Sequence, residues 1–103
     1  MRYMKFGFTP THPGEVLKEE ITYRKIYQNH LAKQMGMSYK ILNDILNERR
    51  PITTTTAMLF EAALDVPADS LLKLQMKYNI QTANNDKTFT ERLKEVRKLC
   101  AMF

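Results

Sequence analysis

The stretch GMSYKILNDILNERRPIT, residues 36–53, carries polar side chains of several kinds on a pattern typical of a short helix. A hydroxyl, a phenol, an amine, an amide and a carboxylate all donate to or accept from base edges in the major groove of DNA. The first residues of such a helix reach deepest into the groove, which favours Tyr39 and Lys40. We predict base contacts by Ser38, Tyr39, Lys40, Asn43 and Asp44. For Asp44, a solvated helix charge is the alternative interpretation.

Side chains that flank this helix are suited to the phosphates on either side of the groove. Gln28 is expected to begin the preceding helix, where its amide and the helix N–H groups can meet an anion. Asn47, Arg49 and Arg50 follow the later helix and are predicted to bind phosphates as well. A solvated loop is the alternative for the two arginines.

These side chains are well placed only if residues 28–47 form two short helices that cross over a tight turn. The crossing needs a small residue, which Ala32 supplies, and the turn needs a residue that tolerates a positive φ, which Gly36 supplies. The apolar anchors of the turn and of the core seam are Met35, Met37, Leu31, Leu42 and Ile45. The pattern predicts a helix-turn-helix. A plain helical bundle is the alternative, but it does not require a polar outer face on the second helix.

Caps, prolines and apolar spacing predict further helices around this pair. Pro13 fits the first turn of a helix that Thr11 or His12 would cap. The predicted helices span about residues 13–25, 28–35, 38–47, 54–65 and 67–79, with a turn or linker over 81–87 and a last amphipathic helix. Residues 1–10 suggest a short strand or an arm. The predicted class is therefore all-α, with a DNA-binding domain at 11–80 and a linker plus C-terminal helix at 81–103.

The fourth predicted helix has a core stripe and an apolar edge. The stripe comprises Ala57, Phe60, Ala63 and Leu64. Met58 and Leu59 lie beside it and suggest an exposed apolar patch, which we interpret as a dimer contact. Ordinary burial at the edge of the core is the alternative.

Composition limits the class of protein without identifying it. The chain of 103 residues suits one domain, and its net charge of +5 permits an anionic partner such as nucleic acid without requiring one. No apolar run is long enough for a membrane span, the N-terminus lacks a signal-peptide pattern, and there is one cysteine. We expect a cytoplasmic protein.

Enzyme chemistry has little support in this sequence. His12 and His30 fall in separate predicted helices, and neither pairs by spacing with a nucleophile. One cysteine with two dispersed histidines makes a poor zinc site, and no glycine-rich phosphate loop is present. We predict no catalytic residue, no metal site and no cofactor.

Three segments resemble HigA-type antitoxins of the Xre or lambda-repressor-like helix-turn-helix family. These are HPGEVLKEEI at 12–21, ILNERRPITTTTAMLFEAAL at 45–64 and SLLKLQMKYNI at 70–80, so the resemblance covers residues 9–81. It implies a five-helix domain, here with an additional C-terminal helix. It also implies a two-fold homodimer that binds operator DNA at its own promoter, and a partner that is a RelE-like, mRNA-cleaving toxin. The recognition helix of the family matches Ser38–Asn47.

The sequence departs from the family pattern in three places. Glu48 stands where glycine commonly follows the asparagine, which adds a negative charge and implies strained φ at that turn. Leu71 and Leu72 replace an aromatic pair in the fifth helix, and residues 82–103 have no clear counterpart.

Two other functions remain open from the residues. A helix-turn-helix regulator without a toxin partner would have the same fold. A protein-interaction module without DNA binding would leave Tyr39 and Lys40 as ordinary surface, and Glu48 favours that alternative.

Overall fold

The computed structural model describes residues 11–103, which form six α-helices and no strand. The helices are α1 (Pro13–Tyr23), α2 (Gln28–Met35), α3 (Tyr39–Leu46), α4 (Thr54–Leu64), α5 (Ala68–Asn84) and α6 (Lys87–Leu99). The all-α prediction is confirmed for these residues. The predicted arm at 1–10 lies outside them.

Side chains cap the N-termini of α1, α3 and α4. His12, rather than Thr11, caps α1: its Nδ1 accepts the Gly14 N–H at 2.9 Å. Ser38 caps α3 and Thr53 caps α4 through their hydroxyl oxygens. At each position a side-chain acceptor, a ring nitrogen in His12 and a hydroxyl oxygen in the other two, accepts a backbone N–H that the helix itself leaves without an acceptor.

The first three helices end in the same left-handed turn. A residue within two positions of the end of each helix, Lys25, Gly36 or Glu48, has a φ between 57° and 72°. After α3, the N–H of Glu48 donates to the Ile45 carbonyl and the N–H of Arg49 donates to the Asp44 carbonyl. This is the Schellman pattern, which satisfies the last carbonyl groups of a helix and usually uses glycine. The positive φ expected at Glu48 is therefore present.

The core is built by α1 to α5 and the loop before α4. Its buried side chains are Leu17, Ile21, Leu31, Ala32, Met35, Leu42, Ile45, Leu46, Ile52, Ala57, Phe60, Leu64 and Leu71. Four of the predicted anchors of the helix-turn-helix, Leu31, Met35, Leu42 and Ile45, are among them, whereas Met37 is only partly buried against the cluster. Ala63, predicted for the core stripe of α4, is exposed. The buried face of α4 is the one that carries Phe60 and Leu64, and Ala63 lies outside it.

Helix α5 is longer than the sequence predicted. It continues through residues 80–84, so most of the predicted 81–87 turn is helical and only Asn85 and Asp86 separate α5 from α6. Alanine, glutamine and threonine in QTAN are all compatible with a helical backbone. The packing of α6 against α5 further stabilises the helix here. The polar composition alone had suggested a turn.

The loop between α3 and α4 is fastened to α5 by a buried amide. The Gln75 Oε1 accepts the Ile52 N–H at 2.8 Å, and the Gln75 Nε2 donates to the Asn79 side chain at 2.9 Å. Because Ile52 is itself buried, this contact fixes the chain directly after the arginines at 49 and 50.

Helix α6 extends the molecule and contributes no buried side chain to the core. None of its residues is buried, and the structure measures 55 × 29 × 22 Å along its principal axes. No helix in residues 11–103 is long and apolar enough to cross a membrane.

Candidate nucleic-acid interface

The crossing of α2 over α3 has the geometry of a helix-turn-helix. Ala32 is buried between the helices, and Gly36 ends α2 with φ 72°. The N–H of Met37 then donates to the Ala32 carbonyl at 3.0 Å, which turns the chain sharply toward Ser38. The small residue and the left-handed turn predicted from the sequence are both present.

Helix α3 buries one face and leaves the other bare. Leu42, Ile45 and Leu46 are covered by the core. On the outer face, Tyr39 is 53% exposed and the Lys40 side chain is 81% exposed. The Ser38 hydroxyl oxygen accepts the Ile41 N–H at 3.1 Å, and its own hydrogen can still be donated to a ligand. The start of the helix therefore presents a hydroxyl, a phenol and an ammonium group to solvent.

Asn43 lies at the centre of a hydrogen-bonded network on this face. Its Nδ2 donates to the Gln28 Oε1 at 3.1 Å and lies 3.4 Å from the Tyr39 hydroxyl. Its Oδ1 accepts from the Arg49 Nη2 at 3.0 Å. The amide is thereby oriented, with the carbonyl toward Arg49 and the amino group toward α2.

Asp44 connects the same network to two cations. Its Oδ2 accepts from the Lys40 Nζ at 3.1 Å and its Oδ1 accepts from the Arg49 Nε at 3.1 Å. The side chain is only 13% exposed. Hydrogen bonds from Lys40 and then Arg49 hold the pKa of Asp44 below its ordinary value. The carboxylate is therefore committed to its neighbours in the free protein, and a base contact by Asp44 stays a prediction.

The N-terminus of α2 meets this surface beside Tyr39. Tyr27, the N-cap residue of α2, provides no side-chain acceptor, and the Asn29 Oδ1 accepts the His30 N–H at 2.9 Å. A groove of about 600 Å³ runs here between Tyr27, the amides of Gln28 and Asn29, and Tyr39. Tyr27 is exposed and was not singled out from the sequence. Backbone N–H groups, amides and phenols converge at this point, which is a combination suited to a phosphate or sugar.

The far end of α3 carries the remaining predicted residues. The Asn47 Nδ2 donates to the Asn43 carbonyl, and its Oδ1 accepts from the Lys18 Nζ at 2.9 Å. Arg50 is exposed and forms no ion pair with any residue of 11–103. Lys18 was missed because it stands 29 residues before Asn47, and only the packing of α1 on α3 brings its charge to this face.

The nine predicted residues thus separate into three groups. Six belong to one network of side chains: Gln28, Tyr39, Lys40, Asn43, Asp44 and Arg49. Asn47 joins it through the backbone of Asn43. Ser38 and Arg50 lie at opposite ends of α3, and neither forms a side-chain hydrogen bond or ion pair with another of the nine residues.

Glu48 adds a negative charge at the edge of the interface. It is exposed, with φ 65°, and it lies near the buried His12. Burial lowers the pKa of His12, and the charge of Glu48 partly opposes that effect. The Tyr78 ring also packs edge-on against His12, with centroids 4.8 Å apart. His12 is therefore a structural cap that ties α1 to α5.

The arrangement is suited to binding. An ordered amide, a phenol and two cations share one face, which matches the groups that read base edges and phosphates. Among residues 11–103, no group of three histidine, cysteine or acidic side chains could hold a metal ion.

Known proteins resemble this chain in sequence and in structure. No family model matches the sequence. This chain is 36% identical over 77 residues to virulence-associated protein I of Dichelobacter nodosus. The matched stretch covers 74% of this chain and 71% of that protein. A HigA-family addiction module antidote protein of Coxiella burnetii is 32% identical, with a TM-score of 0.71 over 88% of this chain and 95% of that one.

A third similar protein was solved with DNA. The antitoxin HigA of Pseudomonas aeruginosa, in a structure with the higBA promoter, is 28% identical with a TM-score of 0.70. The match covers 86% of this chain and 92% of that one. From the shared helix-turn-helix and these relationships, the chain belongs to the HigA family of antitoxins.

Proposed function

We propose that this protein is an antitoxin that represses its own operon by binding operator DNA as a two-fold dimer and neutralises a RelE-like, mRNA-cleaving toxin. The exposed network on α3, centred on Asn43, is the observation that supports DNA binding. In this proposal α1 to α5 form the DNA-binding domain and α6 is an addition to it. The similarity to a HigA protein solved with a promoter supports the same partner.

The proposed base contacts come from Ser38, Tyr39, Lys40 and Asn43, with Asp44 beside them. The proposed phosphate contacts come from Gln28, Asn47, Arg49 and Arg50, and the structure adds Lys18 and Tyr27 as neighbours of these two groups. In a two-fold dimer, the two α3 helices would enter successive major grooves about 34 Å apart.

Binding to DNA is tested by a salt titration. The promoter region of the chain's own operon and a scrambled duplex of equal length are compared by fluorescence anisotropy. We expect tighter binding to the promoter, with affinity that falls steeply as salt rises, because phosphate contacts release counterions. Equal affinity for the two duplexes would contradict operator recognition and favour an interaction module.

Neutralisation of a toxin is tested by co-expression with the adjacent small reading frame. Growth arrest by that frame alone, and relief when this chain is present, would support the antitoxin proposal. If the promoter is bound but no neighbouring product is toxic or co-purifies, the chain is a helix-turn-helix regulator without a toxin. The net charge of +5 means that attraction to a basic toxin cannot be the main source of affinity.

The second copy has a suitable surface at the C-terminal end of the chain. Seven of the exposed large apolar side chains lie after residue 75: Met76, Ile80, Phe89, Val96, Leu99, Met102 and Phe103. Phe89, Val96 and Leu99 lie on α6 at positions i, i+7 and i+10, which is the heptad spacing of a helix–helix seam. We propose that this seam pairs with the same seam of a second copy.

Charge along α6 favours an antiparallel pair. Residues 86–91 carry two acidic and one basic side chain, whereas residues 92–98 carry four basic and one acidic side chain. An antiparallel arrangement places each basic half beside an acidic half, and a parallel arrangement places the two basic halves together. A basic toxin would meet repulsion at the same place.

Sedimentation velocity of three variants tests this dimer surface. Val96→Glu should produce monomers, while Lys94→Glu on the opposite side of α6 should remain dimeric. Leu59→Glu tests the sequence-based hypothesis of a contact at Met58 and Leu59, which are 58% and 41% exposed. Dissociation by Leu59→Glu alone would place the contact on α4, and a monomeric parent protein would contradict the dimer.

A further inference from the structure

A carboxylate among the proposed DNA-contacting groups needs an explanation, because it repels the phosphates that the neighbouring cations attract. Asp44 is such a group. Its two oxygens accept from Lys40 and Arg49 at 3.1 Å each, and the Arg49 Nη2 lies 3.0 Å from Oδ1. The side chain is largely covered, so a base could reach it only after these contacts change.

Arg49 passes the effect of Asp44 to Asn43. One guanidinium group donates from Nε to Asp44 and from Nη2 to the Asn43 Oδ1. The guanidinium group is planar, so fixing one edge of it on Asp44 also fixes the direction of its other donors. The carbonyl of Asn43 therefore faces Arg49, and its amino group faces Gln28.

The orientation of this amide determines what Asn43 can read. An asparagine recognises adenine by accepting from N6 and donating to N7 at the same time. Rotation of the terminal amide by half a turn exchanges the donor and the acceptor, and that torsion is only weakly restrained by itself. Without Arg49, the Asn43 amide would be oriented only by its contacts with Gln28 and Tyr39; the Gln28 amide can itself rotate in the same way, and the tyrosine hydroxyl can donate or accept.

We propose that Asp44 is a specificity-determining positioning residue, which holds Arg49 and through it the Asn43 amide in one orientation, without contacting a base. This inference rests on the proposed DNA binding. It replaces the sequence-based role of Asp44 as a base contact. It also accounts for the presence of a negative charge on this face, since Asp44 lowers non-specific affinity but raises selectivity.

Asp44→Asn is the principal variant because it keeps the shape and removes the charge. Non-specific binding to a scrambled duplex should become several-fold tighter, since a repulsive charge is gone. The ratio of operator to scrambled affinity should fall by about tenfold, within the range for losing one well-oriented base contact. These two changes in opposite directions distinguish positioning from a loss of folding, which would weaken both.

Glu48→Gln is the matched control. Glu48 is an exposed carboxylate just beyond the end of α3, and it makes no hydrogen bond to Lys40, Arg49 or Asn43. Its neutralisation should tighten non-specific binding as well, but it should leave the affinity ratio unchanged. An equal fall in the ratio for Glu48→Gln would mean that charge alone sets selectivity, which would overturn the proposal.

A double-mutant cycle with Asn43→Ala tests the route of the effect. If Asp44 acts through Asn43, Asp44→Asn should not lower the ratio further in the Asn43→Ala background. A further loss there would show that Asp44 reads a base itself. Arg49→Gln, at an exposed position, should reproduce the loss of selectivity even if Asp44→Asn is poorly folded. A parent protein that does not distinguish operator from scrambled DNA would instead contradict the proposed function.

Discussion

Gly14 lies directly against the backbone carbonyl of Ile45, so that a Cβ at position 14 would overlap the carbonyl oxygen. The contact joins the first turn of α1 to the last turn of α3. It explains why the HPGE segment has a glycine in the first turn of α1 although φ at Gly14 is not positive. The close approach also places Lys18 within reach of Asn47 at the end of the proposed recognition helix.

Substitution of Gly14 by alanine should destabilise the protein. Alanine gains about 1 kcal/mol in helix propensity, but overlap with the Ile45 carbonyl forces α1 away from α3 and costs about 1–3 kcal/mol or more. The free energy of unfolding, measured in urea, is expected to fall. A value equal to or above that of the parent protein would show that the two helices separate easily.

Gly36 provides a contrasting glycine. A Cβ there meets nothing within 4 Å, so the cost of Gly36→Ala arises from φ +72° alone, at about 1–2 kcal/mol. Gly36→Asn should recover most of this loss, because asparagine tolerates the left-handed conformation. If Gly36→Asn is as unstable as Gly36→Ala, a cause other than φ determines the preference for glycine.

Lys40 and Arg50 should affect DNA binding differently. Lys40→Ala is expected to weaken operator binding by about 1–3 kcal/mol and to relax base preference at one position, if the contact is a good bidentate one. Arg50→Ala should weaken binding to all duplexes alike and reduce the salt dependence, because Arg50 is proposed to bind phosphate. Footprints and salt titrations on matched duplexes separate the two effects. Unchanged operator affinity in Lys40→Ala would remove Lys40 from the base-contacting set.

Acid should weaken the fold through His12. Burial lowers the pKa of His12 from 6.5, with the Glu48 charge acting in the opposite direction. The unfolded chain therefore binds a proton at a higher pH than the folded protein, and stability falls as pH drops below about 6.5. Protonation would also remove the Nδ1 lone pair that accepts the Gly14 N–H.

Unfolding in urea at pH 7.5 and pH 5.5 measures this effect. His12→Asn is the control, because asparagine retains an acceptor for the helix N-terminus but does not titrate. The parent protein should lose more stability than His12→Asn over this interval. Equal losses in both proteins would show that His12 is not the group responsible.

Glu48→Gly should stabilise the protein and strengthen DNA binding. The residue has φ 65°, and relief of that strain should raise the free energy of unfolding by about 1 kcal/mol. Loss of the charge should tighten binding to any duplex at low salt. Glu48→Gln separates the two effects, since it removes the charge and keeps the strain. Equal stability of the two variants would contradict the strain explanation.

Local patterns in the sequence were sufficient for the class, the helix-turn-helix and the residues on its outer face. Caps at Ser38 and Thr53, the small residue at position 32 and the glycine at 36 act over a few neighbouring residues. Propensity and capping therefore place the helices within a few residues. The boundary of α5 was wrong, because a polar segment such as QTAN is helical or not according to what packs beside it.

Tertiary structure decided how the outer-face residues are used. Gln28, Asn43 and Arg49 come from α2, α3 and the following turn, and their hydrogen bonds depend on the angle at which α2 crosses α3. The engagement of Asp44, the approach of Lys18 to Asn47 and the overlap at Gly14 depend on the same packing. Sequence spacing identifies which side chains share a helix face, but distances between elements follow from how the core closes around Ala32 and Leu42.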